Sequence, residues 1–435
     1  MSKIYIETYG CQMNEYDTEI VKSVLRESGH QLVEQPEEAE VVLLNTCSVR
    51  EHAARRVTAR VHALRHLENG RAKKIGLLGC MTTNLRETLL ENKKMRIDLM
   101  AGPDSYRRLP ELLAQAVGEQ SAVDLKLSRT ETYSDVHPFR TAGVNGWIAV
   151  MRGCDNYCTF CVVPYARGRE RSRSVESVVN ETRRLAENGF RQVTLLGQNV
   201  NSYRHEGHDF AYLLEKVSEV EGIVRIRFTS PHPKDFPDSL LKTVAENPKV
   251  CKHIHLPLQA GSSRILELMN RTYSQQDYLD LVKKIRDYVP QAALTTDIIV
   301  GFPTETEDDF LETVRVVREV GFDSAFIFKY SPRKGTVAAR RFVDDVSDAD
   351  KSARTVRLNA LQKEISLQKN RAHIGETHQV LIEELHTRKS TTDAQGRTDG
   401  NTLVILPKEN LSVGQLVSAK ITGASANVLK GQIIR

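Results

Sequence analysis

The sequence predicts an α/β protein of three domains: an N-terminal domain with a parallel sheet, a partial (β/α)6 barrel and a small C-terminal all-β barrel. Short apolar runs alternate with amphipathic segments between residues 3 and 117, which is typical of a parallel sheet covered by helices. A second alternation, with six strand patterns, begins at Trp147 and indicates the partial barrel. After Gly375 short strands follow turns rich in Gly and Asp, as in small β-barrels.

The N-terminal domain is expected to span residues 1–145. Its predicted strands are 3–8, 41–46, 74–78 and 97–100, and its predicted helices are 14–28, 50–67 and 109–117. Residues 118–145 are poorly patterned and are interpreted as a linker. In a parallel sheet the carboxyl ends of neighbouring strands lie on one edge, so residues that follow these strands are expected to meet.

The barrel domain is expected to span residues 146–373. Its predicted strands are 147–151, 192–196, 224–229, 253–258, 294–300 and 325–330, with helices at 175–188, 210–220, 238–246, 278–288, 308–320 and 348–373. Functional groups of such barrels gather at the carboxyl ends of the strands. The third domain, residues 374–435, is expected to have four strands, at 379–383, 402–406, 415–421 and 428–434.

The composition excludes several classes of protein. The 435 residues include no apolar run near the ~20 residues that cross a bilayer, and the first residues lack the apolar core of a signal peptide. We therefore expect a cytoplasmic monomer, away from membranes, whose thiols stay reduced. Seven cysteines, an odd number, do not form a disulfide scaffold. The net charge of +5 points only weakly to an anionic partner.

The strongest chemical signal is the run of Cys154, Cys158 and Cys161 on a loop that follows a predicted strand. Three thiolates within eight residues can hold an iron–sulfur cluster, and without a fourth they leave one iron open to another molecule. The alternative is a structural zinc ion with a histidine such as His137 as the fourth ligand, although zinc sites usually combine two closely spaced pairs.

A second set comprises Cys11, Cys47 and Cys80, each of which ends a predicted strand. The strand ends are expected to converge, so we interpret this set as a second three-thiolate cluster with an open iron. The alternative is that all three are buried apolar cysteines. Cys251 has no partner at ligand spacing and is interpreted as structural.

The C-x3-C-x-aromatic-C run, with Phe160 as the aromatic residue, resembles the radical S-adenosylmethionine (SAM) superfamily. The resemblance implies that SAM binds the open iron of a [4Fe–4S] cluster and is cleaved to methionine and a 5′-deoxyadenosyl radical. It also implies that strand-end residues touch SAM, and the residues at matching positions are Phe160, Gly197, Gln198, Asn199, Ser230, Gln259 and Asp297. The alternatives are ordinary strand-to-helix turns and, for Asp297, a buried strand residue.

The segments 10–15, 45–50 and 153–168, together with the C-terminal barrel, resemble the methylthiotransferase family over the whole chain. The family implies two [4Fe–4S] clusters, an N-terminal methylthiotransferase domain, a radical-SAM domain and a TRAM domain that binds RNA. One SAM serves as methyl donor and another as radical source, because the C–H bond at carbon 2 of adenine resists acid–base chemistry. The Gly10-Cys11-Gln12-Met13-Asn14 run is similar to the branch that makes 2-methylthio-N6-isopentenyladenosine at position 37 of tRNA.

Other substrates and partners follow from the same resemblance. The related branches modify threonylcarbamoyladenosine in tRNA or an aspartate of ribosomal protein S12, and a non-catalytic iron–sulfur RNA-binding regulator is a remote alternative. A flavodoxin-like or ferredoxin-like protein is expected to supply single electrons. Basic residues beside the second cysteine run are expected to contact tRNA phosphates: Arg167, Arg169, Arg171 and Arg173. Residues 50–74, with eight Lys or Arg and two acids, are a second candidate face.

Overall fold

The computed structural model describes residues 1–48, 51–66, 73–92, 95–116 and 121–434. The N-terminal domain is a six-stranded parallel sheet in the order β2-β1-β3-β4-β5-β6. Its strands are β1 Lys3–Thr8, β2 Gln31–Leu32, β3 Val41–Thr46, β4 Lys74–Gly79, β5 Leu99–Ala101 and β6 Ala122–Asp124. Its helices are α1 Gln12–Glu27, α2 Glu51–His66, α3 Cys80–Asn84, α4 Arg86–Glu91 and α5 Leu109–Gln115. Every residue of the central strand β3 is buried, since helices cover both faces of the sheet.

The interpretation of residues 118–145 as a linker is wrong for part of that segment. Ala122–Asp124 pairs with β5 as the last strand of the sheet, and Tyr133 and Val136 are buried in the core of the N-terminal domain. A strand of three residues is too short to show a period of two, so the sequence pattern could not reveal it. The end of the helix expected at 109–117 lies outside the described residues at Val117.

The second domain confirms the partial (β/α)6 barrel. Strands β7, β10 and β13 form one parallel sheet and β14, β15 and β16 another, and a bridge between Ile226 and Val250 joins them. The strands are β7 Asn145–Ala149, β8 Met151–Arg152, β9 Arg171–Ser172, β10 Gln192–Leu196, β11 Arg204–His205, β12 His208–Asp209, β13 Arg225–Phe228, β14 His253–His255, β15 Ala293–Val300 and β16 Ser324–Lys329.

Helices follow the strands of this barrel along the chain. They are α6 Val163–Arg167, α7 Val175–Glu187, α8 Phe210–Ser218, α9 Asp238–Glu246, α10 Ser263–Leu268, α11 Gln275–Tyr288, α12 Glu307–Val320, α13 Val337–Arg341 and α14 Asp348–Ala372. Along β15, Leu294, Ile298 and Val300 are buried in the core shared with the helices, whereas Thr295 and Asp297 are half-buried. Because side chains alternate along a strand, the half-buried set faces the concave side of the barrel.

The C-terminal domain is a closed barrel of five strands, one more than expected. The strands are β17 Thr377–Glu384, β18 Asp393–Arg397, β19 Leu403–Pro407, β20 Leu416–Ala424 and β21 Val428–Ile433. The missed strand, β18, has the sequence Asp-Ala-Gln-Gly-Arg, in which only Ala394 and Gly396 are buried. Its stability comes from pairing with β17 and β19 and not from its own weak strand propensity.

Buried arginines attach the C-terminal barrel to the barrel domain. Arg225 donates to the carbonyl oxygens of Arg397 and Gln379, and Arg227 donates to those of Asp399 and Thr398, at 2.6–2.9 Å. Hydrogen bonds from a charged donor to buried carbonyls are strong, so this contact holds the two domains in a defined arrangement. In the described part of the chain, no helix is both long and apolar enough to span a membrane.

Candidate functional site

The first cysteine set lies where three neighbouring strands of the N-terminal sheet end. Cys11 precedes α1, Cys47 directly follows β3, and Cys80 directly follows β4 as the first residue of α3. A side chain on Gly10 would lie 2.8 Å from Cβ of Cys47, so only glycine allows these strand ends to approach so closely. The convergence expected from the parallel sheet is therefore present, and the role of the three thiols as cluster ligands stays a prediction.

Two asparagines hold these strand ends together. Asn14 Nδ2 donates to Asn45 Oδ1 at 3.1 Å and to the carbonyl oxygen of Thr46 at 3.0 Å. Asn45 Nδ2 returns a bond of 2.9 Å to the carbonyl oxygen of Asn14. Both asparagines are fully buried. They stand in the segments 10–15 and 45–50 that carry the resemblance, but their pairing across the sheet is visible only in the tertiary structure.

The surroundings of the first set shift the pKa values of its thiols in different directions. A hydrogen bond from the Cys47 thiol lowers the pKa of Cys11 to about 6, and the positive charge of Arg167 adds to the effect. Burial raises the pKa of Cys80. Because metal ions bind the thiolate, a cluster here must displace the proton that burial favours on Cys80.

Arg167, in α6 of the barrel domain, reaches into this set. Its Nε donates to Sγ of Cys80 at 3.0 Å, and its Nη2 donates to Oδ2 of Asp17 at 2.7 Å. The second carboxylate oxygen of Asp17 accepts Nη2 of Arg152 at 2.7 Å. All of these groups are buried between the first two domains. Asp17 is a site residue that sequence reasoning missed, since nothing local marks it among the polar residues of α1.

The second set lies on the loop that follows β8. The backbone of this loop is fixed by bonds from the amide of Cys154 to the carbonyl oxygen of Gly168 and from the amide of Thr159 to that of Met269. Gly153 has φ of +78°, and a side chain there would collide with the backbone of Arg169. Burial raises the pKa of Cys154 and of Cys161, each to about 12. These thiols too must lose protons to bind iron.

Arg271 contacts a thiol of the second set, as Arg167 contacts a thiol of the first set. Its Nη1 lies 3.3 Å from Sγ of Cys158, and its Nε donates to the hydroxyl of Tyr273 at 2.9 Å. Sequence reasoning missed this residue because it lies 113 positions from Cys158 in the chain. Only the closure of the barrel brings the segment after α10 against the cysteine loop.

The zinc alternative gains no support from the residues that the structure describes. Zinc–sulfur bonds of ~2.3 Å place tetrahedral ligands about 3.8 Å apart. Among the residues that the structure describes, the only trio of metal-binding side chains with all ligand atoms within 4.8 Å of one another is His373, Glu376 and His378. His137, the suggested fourth zinc ligand, is exposed and contacts Arg184. A cluster, in which each thiol binds a different iron atom, stays the prediction for both sets.

The residues expected to touch SAM lie at or near the carboxyl ends of the barrel strands. Gly197, Gln198 and Asn199 directly follow β10, while Ser230 and Gln259 have φ of +60° and +68° in the loops after β13 and β14. Asp297 lies within β15 and accepts from His255 at 3.2 Å, and Phe160 packs against the barrel core. Oε1 of Gln198 and Oδ1 of Asn199 are buried acceptors with no partner in the described structure. Such acceptors fit a ligand that carries an ammonium group.

Three of the four arginines expected to contact phosphate are buried. Arg167 pairs with Asp17 and Arg171 with Asp104 at 2.9 Å, both across the first two domains, and Arg173 pairs with Glu181 of its own domain at 2.6 Å. Their guanidinium groups are committed to carboxylates, so the expectation of phosphate contact is wrong for these three. Arg169 remains a candidate, because its side chain is 70% exposed and pairs only with the half-exposed Asp155.

The basic segment 50–74 is also partly committed to internal contacts. Arg60 pairs with Glu7 at 2.5 Å and Arg65 with Asp98 at 2.9 Å. Lys73 is buried and donates to three carbonyl oxygens, among them that of Ala39. Arg50 and residues 67–72 lie outside the described residues. The described part of this segment thus offers less free positive charge than its composition suggests.

Family models match all three domains. The model of the radical SAM superfamily matches residues 148–317, that of the uncharacterized protein family UPF0004 residues 3–102, and that of the TRAM domain residues 371–434. The chain is 47% identical to the tRNA-2-methylthio-N(6)-dimethylallyladenosine synthase of Chloroherpeton thalassium, over 100% of this chain and 96% of that protein. It is 46% identical to the protein of the same name from Porphyromonas gingivalis, over 99% of this chain and 94% of that protein.

Solved structures share the fold at low sequence identity. The radical S-adenosylmethionine methyltransferase TsrM from Kitasatospora setae superposes with a TM-score of 0.61 at 14% identity, covering 78% of this chain and 77% of that one. The cobalamin-dependent S-adenosylmethionine radical enzyme OxsB gives a TM-score of 0.54 at 13% identity, covering 84% of this chain and 62% of that one. At such identities the similarity establishes the architecture of the chain alone.

Proposed function

Because the chain belongs to the tRNA-2-methylthio-N(6)-dimethylallyladenosine synthase family of radical SAM enzymes, we propose that it adds a methylthio group to carbon 2 of N6-isopentenyladenosine at position 37 of tRNA. The observation that carries the proposal is the pair of three-cysteine sets, each with two buried thiols and one partly buried thiol, and each contacted by one arginine. The cofactors are two [4Fe–4S] clusters and SAM. When bound, they supply the one-electron chemistry and the methylthio group that replaces a hydrogen on an unactivated carbon.

The chain's own residues have three tasks in this proposal. Cys11, Cys47 and Cys80 hold one cluster, and Cys154, Cys158 and Cys161 hold the other. The buried oxygens of Gln198 and Asn199 accept hydrogen bonds from the ammonium group of SAM. The ion pairs between the first two domains keep the two cysteine sets in a constant relation and exclude water from the space between them.

The proposed binding site of the target base is the concave face of the barrel. Phe326 and Phe328 on β16 are 56% and 46% exposed and point away from the core, beside His255 and Asp297 on the neighbouring strands. Exposed aromatic rings of this kind stack on nucleobases and cover apolar substituents, while the polar neighbours can bind ring nitrogens.

The proposal extends to partners that act with the enzyme. A flavodoxin-like or ferredoxin-like protein supplies the electrons. The enzyme works as a monomer in the cytoplasm. Its three domains span residues 1–145, 146–373 and 374–435. The C-terminal barrel and the exposed Arg169 bind the tRNA. Phosphate contacts of this kind weaken as the salt concentration rises.

Nucleoside mass spectrometry tests the proposed function. Deletion of the gene is expected to remove 2-methylthio-N6-isopentenyladenosine from tRNA and to leave its precursor without the methylthio group. Anaerobically reconstituted enzyme is expected to restore the product on that tRNA with SAM and a reductant. Loss of the methylthio derivative of threonylcarbamoyladenosine, or of the modified aspartate of protein S12, would assign a different substrate. Failure to form methionine and 5′-deoxyadenosine from SAM would favour a non-catalytic regulator.

A further inference from the structure

Arg167 connects the thiol of Cys80 to a buried carboxylate of the other domain. Its Nε donates to the sulfur at 3.0 Å and its Nη2 to Asp17 at 2.7 Å, and only 4% of its side chain is exposed. It thus lies beside the first cysteine set, on the side that faces the barrel domain.

The third nitrogen of this guanidinium has no partner. Nη1 of Arg167 is buried and makes no hydrogen bond within the described structure. An unpaired buried donor on a charged group is strongly unfavourable. Arg152 also has unpaired nitrogens, but its guanidinium lies over the ring of Tyr133 at 4.6 Å, which partly compensates them. The unpaired Nη1 of Arg167 is therefore free to bind a further acceptor.

The local charges indicate the sign of that acceptor. Two guanidinium groups, those of Arg152 and Arg167, share the single carboxylate of Asp17. The neighbouring Arg171 is already neutralised by Asp104. Among these five side chains one positive charge is thus left over in a buried position, where it favours negative charge on the neighbouring cysteine sulfurs. An anionic group held by the three thiols would balance it.

We propose that Arg167 is a positioning residue that raises the reduction potential of the iron–sulfur cluster held by Cys11, Cys47 and Cys80. This inference rests on the proposed function for the presence of that cluster. Each one-electron reduction adds one negative charge to a cluster. A fixed guanidinium that donates to a ligand sulfur in a dry site stabilises the reduced form more than the oxidised form. Asp17 holds the guanidinium in place, since its carboxylate binds Nη2 while Nε donates to Cys80.

Arg271 provides a matched comparison at the other cysteine set. It donates to Sγ of Cys158 and is held by the hydroxyl of Tyr273. Each arginine touches a thiol of one set only in the described contacts. Replacing one of them is therefore expected to change the potential of one cluster and to leave the other as an internal reference.

The test is an anaerobic redox titration of the reconstituted full-length protein, monitored by electron paramagnetic resonance. Arg167→Gln, Arg167→Lys and Arg271→Gln are compared with the unaltered chain, after iron analysis shows that both clusters are present. The signals are assigned with a chain in which Cys154, Cys158 and Cys161 are replaced by alanine. Arg167→Gln is expected to shift the first cluster to a lower potential and to leave the second unchanged. Arg167→Lys keeps the charge and is expected to cause a smaller shift.

Two results would overturn the inference. One is an unchanged potential of the first cluster in Arg167→Gln with full iron content, and the other is an equal shift of both clusters. If Arg167→Gln does not retain the first cluster, the comparison is made with Arg167→Lys, for which an unchanged potential has the same meaning. Failure of the proposed function has a different signature, because the unaltered protein would then lack a second cluster or form no methylthio product.

Discussion

Asp17 in α1 and Arg167 in α6 form a buried ion pair of 2.7 Å, although 150 positions separate them in the chain. The other oxygen of Asp17 binds Arg152, so a single carboxylate joins the N-terminal helix to two segments of the barrel domain. The first cysteine set touches this contact through Cys80, and the second lies on the loop between Arg152 and Arg167. Their relative position is thus determined by a polar interface that neither domain could form alone.

Replacement of Asp17 is expected to destabilise the interface strongly. In Asp17→Asn both arginines lose their charged partner while they remain buried, which should lower the free energy of unfolding by about 3–5 kcal/mol. The measurement is the midpoint of chemical denaturation. Glu87→Gln is the control, because Glu87 pairs with Lys334 on the surface and its side chain is 76% exposed. That change should cost ~0–1 kcal/mol, and an equal loss in both variants would contradict the expectation.

Cysteine replacements are expected to separate cluster ligands from the structural cysteine. Cys158→Ala or Cys47→Ala should reduce the iron content of the reconstituted protein from about eight to about four atoms per chain. Cys251 is buried like the ligands but lies near Asp399 at the contact with the C-terminal barrel. Cys251→Ala should therefore retain about eight irons per chain. A loss of four irons in this variant would show that Cys251 is a cluster ligand and that the assignment of the six ligands is wrong.

The exposed phenylalanines of β16 are expected to matter for the substrate and not for the fold. Phe326→Ala and Phe328→Ala should each lower kcat/KM for isopentenylated tRNA by about 5–100-fold, the value of one lost stacking contact. Leu311→Ala on the outer face of α12, where Leu311 is 44% exposed, serves as the control. The same thermal stability in all three variants would assign the effect to binding. Unchanged kcat/KM in both phenylalanine variants would exclude this face as the seat of the base.

His232 is expected to make the stability depend on pH. Burial lowers its pKa to about 2 in the folded protein, compared with an ordinary value near 6.5. Below pH 6.5 the unfolded chain therefore binds a proton that the folded chain does not. The free energy of unfolding then decreases by about 1.4 kcal/mol for each unit by which the pH is lowered. Denaturant midpoints between pH 5 and 8 should show this slope, and His232→Gln should reduce it. His386→Gln, at an exposed position, should leave the slope as it is.

Strong local patterns predicted most elements. Strands 3–8, 41–46 and 192–196 and helix 238–246 begin and end where the sequence places them, because each is a continuous apolar or amphipathic run. Two of the elements that were missed, Ala122–Asp124 and Asp393–Arg397, are short or polar. Their strand conformation depends on hydrogen bonds to neighbours that are distant in the chain or flank them in a closed barrel.

The sequence by itself determined the three domains in order, the spacing of Cys154, Cys158 and Cys161, and the placement of Cys11, Cys47 and Cys80 at strand ends, since periodicity and spacing are local properties. Only the tertiary structure decided the roles of the arginines after the cysteine loop. Their charge suggested phosphate, but Arg167, Arg171 and Arg173 are buried against carboxylates of other segments. The physical reason is that a buried charge requires a partner, and the identity of that partner depends on which distant segments the fold brings together.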